Sequence, residues 1–270
     1  MSEKLGIIGF GNIAQAIATS LLEKNLLEPE DIICLVKSKK SVEEIKNNYK
    51  YNINIFESIS DDSKRIWNCP IKLLSVKPQQ LKEIKELKVN STKRNTMISI
   101  LAGVSIDRLK NQFPNHNCAR AVTNIPITIG KGLTGISWGQ EINNQDKIFI
   151  REIFNNSGKL YEFPEEYLDV FLALTSSAPA IIALIIESLA DGGLSGGLQK
   201  NLSEELVIEM ILGTVLLLRD SKISTSDLKN KVTSPAGTTI SALRVLEERS
   251  FRSALMESII EATKKSKTFK

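Results

Sequence analysis

Residues 4–24 read KLGIIGFGNIAQAIATSLLEK, and this stretch decides the fold. An apolar run predicts a β-strand over residues 4–9, and apolar side chains at helical spacing predict an α-helix over residues 12–24. Between them lies the pattern G-x-G-x-x-A: Gly9 permits a tight turn, Gly11 lets the backbone approach a pyrophosphate, and Ala14 allows the helix to pack closely on the strand. The N–H groups at the helix start, at Asn12 and Ile13, favour an anion. The stretch therefore predicts dinucleotide binding; a turn with only a structural role is the alternative.

Strand-like runs alternate with helical patterns as far as residue 163, which predicts βαβ units and a mostly parallel sheet. Further strands are predicted at residues 32–36, 53–56, 71–76, 96–100 and 118–122, with shorter edge strands at residues 133–138 and 160–163. Beyond residue 163 only helical patterns remain. We therefore expect an α/β fold with a Rossmann-type dinucleotide-binding domain over residues 1–163 and an all-α domain over residues 164–270.

Two predicted helices of the second domain, over residues 180–190 and 202–218, are apolar on nearly every face. Pro179 suits the first turn of the earlier helix, with Ser176 or Ser177 as its cap. A helix that is apolar all round must be buried on all sides. A domain of this size has little room for two such helices, so we expect a partner subunit to cover them. A tight monomeric core is the alternative.

Composition narrows the class of protein. The chain has 270 residues, 42% hydrophobic and 24% charged, as in soluble globular proteins. The net charge of +4 comes from basic residues spread along the chain, so no nucleic-acid surface is expected. The longest apolar runs, residues 178–186 and 211–218, are shorter than the ~20 residues that a membrane-spanning helix needs.

Cysteine and histidine usage points away from metal or hydrolase chemistry. Cys34, Cys69 and Cys118 are far apart and odd in number, so neither a disulfide framework nor a metal site is expected. No signal-peptide pattern precedes the first strand, and a cytoplasmic location fits. The single histidine, His116, lies in the polar stretch PNHNC, where we expect a solvated surface loop residue rather than a catalytic one.

The end of the second predicted strand bears on the choice of dinucleotide. In NAD-specific sites an acidic residue there binds the ribose 2′-OH. Here the sequence is LVKSKKS. Ser38 and Lys39, with the neighbouring lysines, would accept a 2′-phosphate, so NADPH is favoured and NADH remains possible. An ordinary exposed basic turn is the alternative.

Other strand ends supply further cofactor-binding candidates, because ligands of open α/β sheets lie outside the carboxyl ends of the strands. These candidates are Ser75, Val76, Lys77 and Pro78 in SVKPQQ, Ala102 after the next strand, and Asn124 in RAVTNIP. Lys77 is either a functional cation or a solvated loop lysine. The pattern leaves both open.

The stretch VTSPAGTTISALRVLEE, residues 232–248, leads into a helix through several hydroxyls. One hydroxyl would cap the helix. The others, with the N–H groups of the helix start, would bind a carboxylate or phosphate. The predicted receptor residues are Ser234, Gly237, Thr238 and Thr239. A plain cap and turn is the alternative.

Together these segments resemble the pyrroline-5-carboxylate reductase family. The resemblance rests on GFGNIAQAI, SVKPQQ, SILAGV, RAVTNIP, SSAPA, ESLADGGLSGGL and VTSPAGTTISALRVLEERSFRSALMESI, which occur in this order and span nearly the whole chain. It implies an N-terminal Rossmann domain and a helical domain that intertwines in a homodimer, with larger rings of dimers in the family. It also implies hydride transfer from NADPH to the C=N carbon of 1-pyrroline-5-carboxylate, giving L-proline. The substrate carboxylate would then bind at Ser234, Gly237, Thr238 and Thr239, with Thr239 near the imine nitrogen.

Several positions depart from the family pattern. The usual S-P-G-G-T-T is SPAGTT here, so Ala236 replaces a glycine. If this position needs a positive φ, alanine costs ~1 kcal/mol. Ser176 and Ala178 also stand where glycines are usual. These changes keep two alternatives open: a reductase of another cyclic imine carboxylate, and a non-enzymatic dinucleotide-binding relative.

Overall fold

Eight strands form a single sheet in the computed structural model, which describes residues 4–84 and 95–268. The strands are Leu5–Ile8 (β1), Ile32–Val36 (β2), Asn54–Glu57 (β3), Ile71–Leu74 (β4), Asn95–Ser99 (β5), His116–Val122 (β6), Gly132–Trp138 (β7) and Gly158–Glu162 (β8). Their order is β3-β2-β1-β4-β5-β6-β7-β8, and every neighbouring pair is parallel except β6 with β7. The predicted α/β class with a mostly parallel Rossmann-type sheet is confirmed.

Helices make up most of the remaining described chain. They are Asn12–Glu23 (α1), Lys39–Asn48 (α2), Ile106–Gln112 (α3), Asn144–Asn156 (α4), Leu168–Leu172 (α5), Ala178–Ser195 (α6), Lys200–Ser221 (α7), Thr225–Lys231 (α8), Thr238–Glu248 (α9) and Phe251–Lys267 (α10). Short 3₁₀ helices cover Pro29–Asp31, Asp61–Asn68, Pro78–Glu83, Ile125–Ile129 and Glu165–Tyr167. From residue 163 to 268 the regular elements are all helical, as the sequence predicts.

β1 is an interior strand, third in the order of eight, and its four residues are all buried. Leu5 pairs with Ile32 of β2 on one side and with Ile71 of β4 on the other. Short, continuously apolar strands of this kind are typical of a parallel sheet covered on both faces. Because the strand order reverses between β2 and β4, a crevice forms at the carboxyl end of β1, where such sheets bind ligands.

The chain divides into two units of internal contact. The first runs to Ser176 and resumes at Ala262; the second is Ser177–Glu261. The predicted boundary between residues 163 and 164 stays a prediction. In the second unit only Ala190 and Ser203 are buried, while Leu184 is 61% and Val215 55% exposed. The alternative of a tight monomeric core is therefore wrong, and apolar surface on this scale marks an interface with protein or membrane.

One continuous helix, Glu165–Ser195, has 31 residues and is apolar enough to cross a membrane by length and composition alone. The expectation that the apolar runs are too short for this is corrected, because residues 178–186 lie inside that longer helix. A helix whose faces are covered by protein can have the same length and hydropathy, so this finding is only weak support for a membrane span. The predicted cap at Ser176 or Ser177 is also wrong. Ala173–Ser177 is a π-helical turn that continues into α6, and Ser177 makes no capping hydrogen bond.

Two further expectations about the first unit are corrected. β7 is not an edge strand, since it pairs with both β6 and β8; the edges are β3 and β8. His116 is not a surface loop residue but the first residue of β6, and it is buried. Its ring lies edge-on to Trp67 at 5.8 Å, and burial, followed by the nearby Lys72 charge, lowers the pKa of His116 to about 3. His116 is therefore a neutral core residue.

The exposed apolar face of α7 generates the first prediction. Leu206→Glu should convert an associating chain to monomers and lower its melting temperature, because association would bury an unpaired charge. Leu206→Met keeps the apolar character and the volume of the side chain and should leave association intact. Sedimentation velocity measures both variants. Identical sedimentation of Leu206→Glu and the parent would contradict the assignment of this face to a subunit interface.

Candidate active site

The two glycines of the turn between β1 and α1 differ, because packing within the protein excludes a side chain at Gly9 but not at Gly11. Gly9 has a φ of 87°, and a Cβ there would lie 2.5 Å from the Ser75 carbonyl oxygen. At Gly11 a Cβ would meet no atom within 4 Å. Gly11 also precedes α1 without any side-chain cap, which leaves the first N–H groups of the helix available to an anion. The open space above Gly11 fits the close approach of a pyrophosphate.

A cavity of about 770 Å³ opens beside this turn, at the carboxyl ends of β1, β2 and β4. It has the size of a small-molecule or cofactor site. Of the predicted cofactor-binding residues, Gly9, Gly11, Ser75, Val76 and Lys77 line it. The predicted residues Asn12, Ile13, Ser38, Lys39, Pro78, Ala102 and Asn124 are not among its lining residues.

The cavity also has lining residues that no sequence pattern singles out, among them Tyr49, Ile59 and Trp67. Tyr49 lies edge-on to Phe10 at 5.0 Å and shares a hydrogen bond of 3.0 Å with Thr19. Burial raises the pKa of Tyr49 to about 12, so the phenol stays protonated. None of these residues carries a motif, because the fold brings them in from separate elements.

The residues after β2 are arranged around the start of α2. Ser38 is the N-cap, and its Oγ accepts a hydrogen bond of 3.2 Å from the Ser41 N–H. Lys39 is exposed, and Lys37 Nζ lies 2.9 Å from Glu83 Oε2. Of this predicted 2′-phosphate segment, Lys37 lines the cavity, whereas Ser38 and Lys39 are only its neighbours in sequence and Ser38 already serves as a cap.

Asn124 has a structural task that its sequence position does not reveal. Its Oδ1 accepts a hydrogen bond of 2.7 Å from the Leu133 N–H, and its Nδ2 donates one of 3.1 Å to the Thr175 carbonyl. Ser176 Oγ donates to the neighbouring Thr123 carbonyl at 2.8 Å. These bonds tie the end of β6 to the π-helical turn. The side chain of Asn124 is thus committed within the protein, and a cofactor contact there stays a prediction.

The hydroxyl loop, residues 233–239, lies in the second unit and begins α9. The Gly237 N–H donates to the Ser234 carbonyl at 3.1 Å and closes a turn. Pro235 takes the second position, and Ala236 takes the third with a φ of 55°. A type II turn needs a positive φ there, which favours glycine. Ala236 therefore does occupy a left-handed position, at a cost of ~1 kcal/mol.

The hydroxyls of this loop are not used to cap α9. The N-cap is Gly237, which has no side chain to serve as a cap, so the expectation that one hydroxyl caps the helix is wrong. Thr233 Oγ1 instead donates to the Lys229 carbonyl at 2.6 Å. In the described part of the chain, Ser234, Thr238 and Thr239 make no side-chain hydrogen bond. Three unbonded hydroxyls beside an uncapped helix start fit an anion receptor, and this assignment stays a prediction.

The glycine turn, the cavity and the sheet order define a Rossmann-type dinucleotide-binding protein. Residues 4–103 match the family model described as NADP oxidoreductase, coenzyme F420-dependent, and residues 165–269 match pyrroline-5-carboxylate reductase dimerisation. The pyrroline-5-carboxylate reductase of Synechocystis is 35% identical over 98% of each chain. This chain belongs to the pyrroline-5-carboxylate reductase family.

Solved structures of the same family have the same fold. The Plasmodium falciparum pyrroline carboxylate reductase with NADP bound is 29% identical, covers 99% of this chain and 98% of its own, and has a TM-score of 0.85. The 1-pyrroline-5-carboxylate reductase of Streptococcus pyogenes is 26% identical over 99% of each chain, with a TM-score of 0.87. The match to the dimerisation model accounts for the apolar helices of the second unit.

The two glycines of the turn generate a matched pair of variants. Gly11→Ala should leave the melting temperature unchanged, because its Cβ meets no protein atom, and should weaken NADPH binding at least ten-fold. Gly9→Ala should lower the melting temperature, since the new Cβ overlaps the Ser75 carbonyl and φ is positive. Thermal melts and a fluorescence titration with NADPH measure both effects. Undiminished NADPH binding by Gly11→Ala would contradict the pyrophosphate assignment.

Proposed function

We propose that this protein reduces 1-pyrroline-5-carboxylate to L-proline with NADPH, the last step of proline biosynthesis. The observation that carries the proposal is the hydroxyl loop: an uncapped helix start with three unbonded hydroxyls, suited to a small carboxylate. It occurs in a chain that matches reductases of this substrate along nearly its whole length.

The cofactor region fits a nicotinamide dinucleotide. Gly11 and the start of α1 are open to a pyrophosphate. At the end of β2, Lys37, Ser38 and Lys39 stand where NAD-specific proteins have an acidic residue, which favours the 2′-phosphate of NADPH. Bound NADPH supplies the hydride that reduces the C=N bond.

The work of the chain's own side chains at the substrate is mainly positioning. A protonated cyclic imine is already electrophilic, so catalysis needs a fixed carboxylate and a fixed ring orientation. Ser234 and Thr238, with the N–H groups at the start of α9, would bind the carboxylate, and Thr239 would donate or accept a hydrogen bond near the imine nitrogen. His116 takes no part in proton transfer, because it is buried and neutral.

We further propose that the working form is a homodimer in the cytoplasm. The exposed apolar side chains of α6 and α7 support the dimer, since a second copy would cover them. Assembly into larger rings of dimers and the cytoplasmic location stay predictions.

A direct assay tests the proposed reaction. The purified protein is mixed with NADPH and 1-pyrroline-5-carboxylate, and the loss of reduced-nicotinamide absorbance is followed together with proline formation. NADPH binding without turnover would contradict the proposal. The six-membered homologue of the substrate tests the second candidate, a reductase of another cyclic imine carboxylate, which the left-handed Ala236 in the hydroxyl loop favours. A higher kcat/KM for the homologue would select it.

Thr239 provides a prediction with an internal control. Thr239→Val should lower kcat/KM for the imine about 10- to 100-fold, because one hydrogen bond to the bound substrate is lost, with NADPH affinity unchanged. Thr233→Val removes a hydroxyl from the same loop that bonds only to the Lys229 carbonyl, and should retain activity. Steady-state kinetics and NADPH titration measure both. Equal losses in the two variants, or a parallel loss of NADPH affinity, would refute the role of Thr239.

Ser38 provides a test of the cofactor preference. Aspartate and asparagine both keep the N-cap of α2, so neither Ser38→Asp nor Ser38→Asn should disturb the helix. Ser38→Asp should raise the KM for NADPH about ten-fold more than that for NADH, because its charge repels the 2′-phosphate. Ser38→Asn should leave the ratio nearly unchanged. An unchanged KM ratio in Ser38→Asp would rule out a 2′-phosphate beside Ser38.

A further inference from the structure

An ion pair at the rim of the dinucleotide cavity joins the residue after β2 to the 3₁₀ helix that follows β4. Lys37 Nζ lies 2.9 Å from Glu83 Oε2, and both residues line the cavity. Lys37 follows β2, while Glu83 is the last residue of the 3₁₀ helix Pro78–Glu83 that follows β4. The pair therefore connects the two elements that flank the carboxyl end of β1.

The carboxylate of Glu83 lies close to the place where NAD-specific folds have an acidic residue, but it comes from a different element. In NAD-specific folds an acidic residue at the end of β2 binds the ribose 2′-OH, whereas a cation there accepts a 2′-phosphate. In this chain the end of β2 is cationic, but Glu83 brings a carboxylate to the same cation from a different element. Both features, the cation that suits NADPH and the carboxylate that suits NADH, thus meet at Lys37.

We propose that Glu83 sets the cofactor preference by competing with the 2′-phosphate for Lys37. When NADPH binds, its 2′-phosphate pairs with the ammonium group of Lys37. The phosphate repels the Glu83 carboxylate, which then moves away from Lys37. When NADH binds, the carboxylate stays on Lys37 and accepts the ribose 2′-OH. Glu83 therefore lowers the ratio of NADPH affinity to NADH affinity, so that the protein can also use NADH. The inference rests on the proposed use of a nicotinamide dinucleotide.

The solvent exposure of the Lys37–Glu83 pair limits how much it can change the preference between NADPH and NADH. The side chains of Lys37 and Glu83 are 68% and 58% exposed. Exposed pairs of this kind are weak and are screened by salt, so the carboxylate is displaced readily. The preference should therefore change by a factor of several, not by orders of magnitude, and the change should shrink as ionic strength rises.

A second pair of the same kind provides the matched control. Lys50 Nζ lies 3.2 Å from Glu23 Oε1, with side chains 68% and 52% exposed, and neither residue lines the cavity. Glu23→Gln removes the same charge from the same kind of pair. It should leave the ratio of the two dissociation constants unchanged, so any general effect of net charge on anionic ligands is measured separately.

The test is a double-mutant cycle on Glu83→Gln and Lys37→Met. Dissociation constants for NADPH and NADH are measured by fluorescence titration, at low and at physiological salt. Glu83→Gln should tighten NADPH binding about five-fold, a factor within the range of an exposed ion pair, and weaken NADH binding. When Lys37→Met is already present, adding Glu83→Gln should no longer tighten NADPH binding relative to NADH binding.

Three results would overturn the inference. The first is an unchanged ratio of the NADPH and NADH dissociation constants in Glu83→Gln, the second is a change equal to that in Glu23→Gln, and the third is a change of the same size in the Lys37→Met background. Failure of the proposed function gives a different result. If the unaltered protein binds neither NADPH nor NADH, the proposed use of a nicotinamide dinucleotide is refuted, and the inference about Glu83 is refuted with it.

Discussion

The rest of the site depends on one close approach of backbone to backbone, where Gly9 passes the Ser75 carbonyl. The Gly9 N–H bonds to the Leu35 carbonyl and the Ser75 N–H bonds to the Ile8 carbonyl, each at 2.8 Å, so the ends of β1, β2 and β4 are joined there. A side chain at Gly9 would force these ends apart. The cavity, the exposed start of α1 and the rim pair Lys37–Glu83 all rest on that junction.

The second unit follows a different constraint. Its helices have almost no buried side chains of their own, so their apolar residues gain stability only when another chain covers them. The hydroxyl loop of this unit is closed by a backbone hydrogen bond, and in the described part of the chain Ser234, Thr238 and Thr239 make no side-chain hydrogen bond. In the proposed function, the apolar helix faces of this unit associate with a second copy and the unbonded hydroxyls of the loop bind the substrate carboxylate.

The sequence was sufficient for features with a local cause. Alternating strand and helix patterns predicted the sheet, and the spacing of Gly9 and Gly11 predicted the turn. Features with a tertiary cause were missed. His116 has polar neighbours in sequence, yet strand pairing and Trp67 bury it. The side chain of Asn124 is hydrogen-bonded to backbone groups 9 and 51 residues away in sequence. Glu83 meets Lys37 across 46 residues, a distance at which no local pattern gives a signal.

One measurement tests most directly whether a dinucleotide held at the glycine turn reduces an imine held at the hydroxyl loop. The protein is incubated with 1-pyrroline-5-carboxylate and NADPH that carries deuterium at the transferable position of the nicotinamide, and the product is examined by NMR. We predict L-proline with one deuterium, bound to C5, the former imine carbon. Proline without deuterium, or no proline while the cofactor is bound, would contradict direct hydride transfer in this protein.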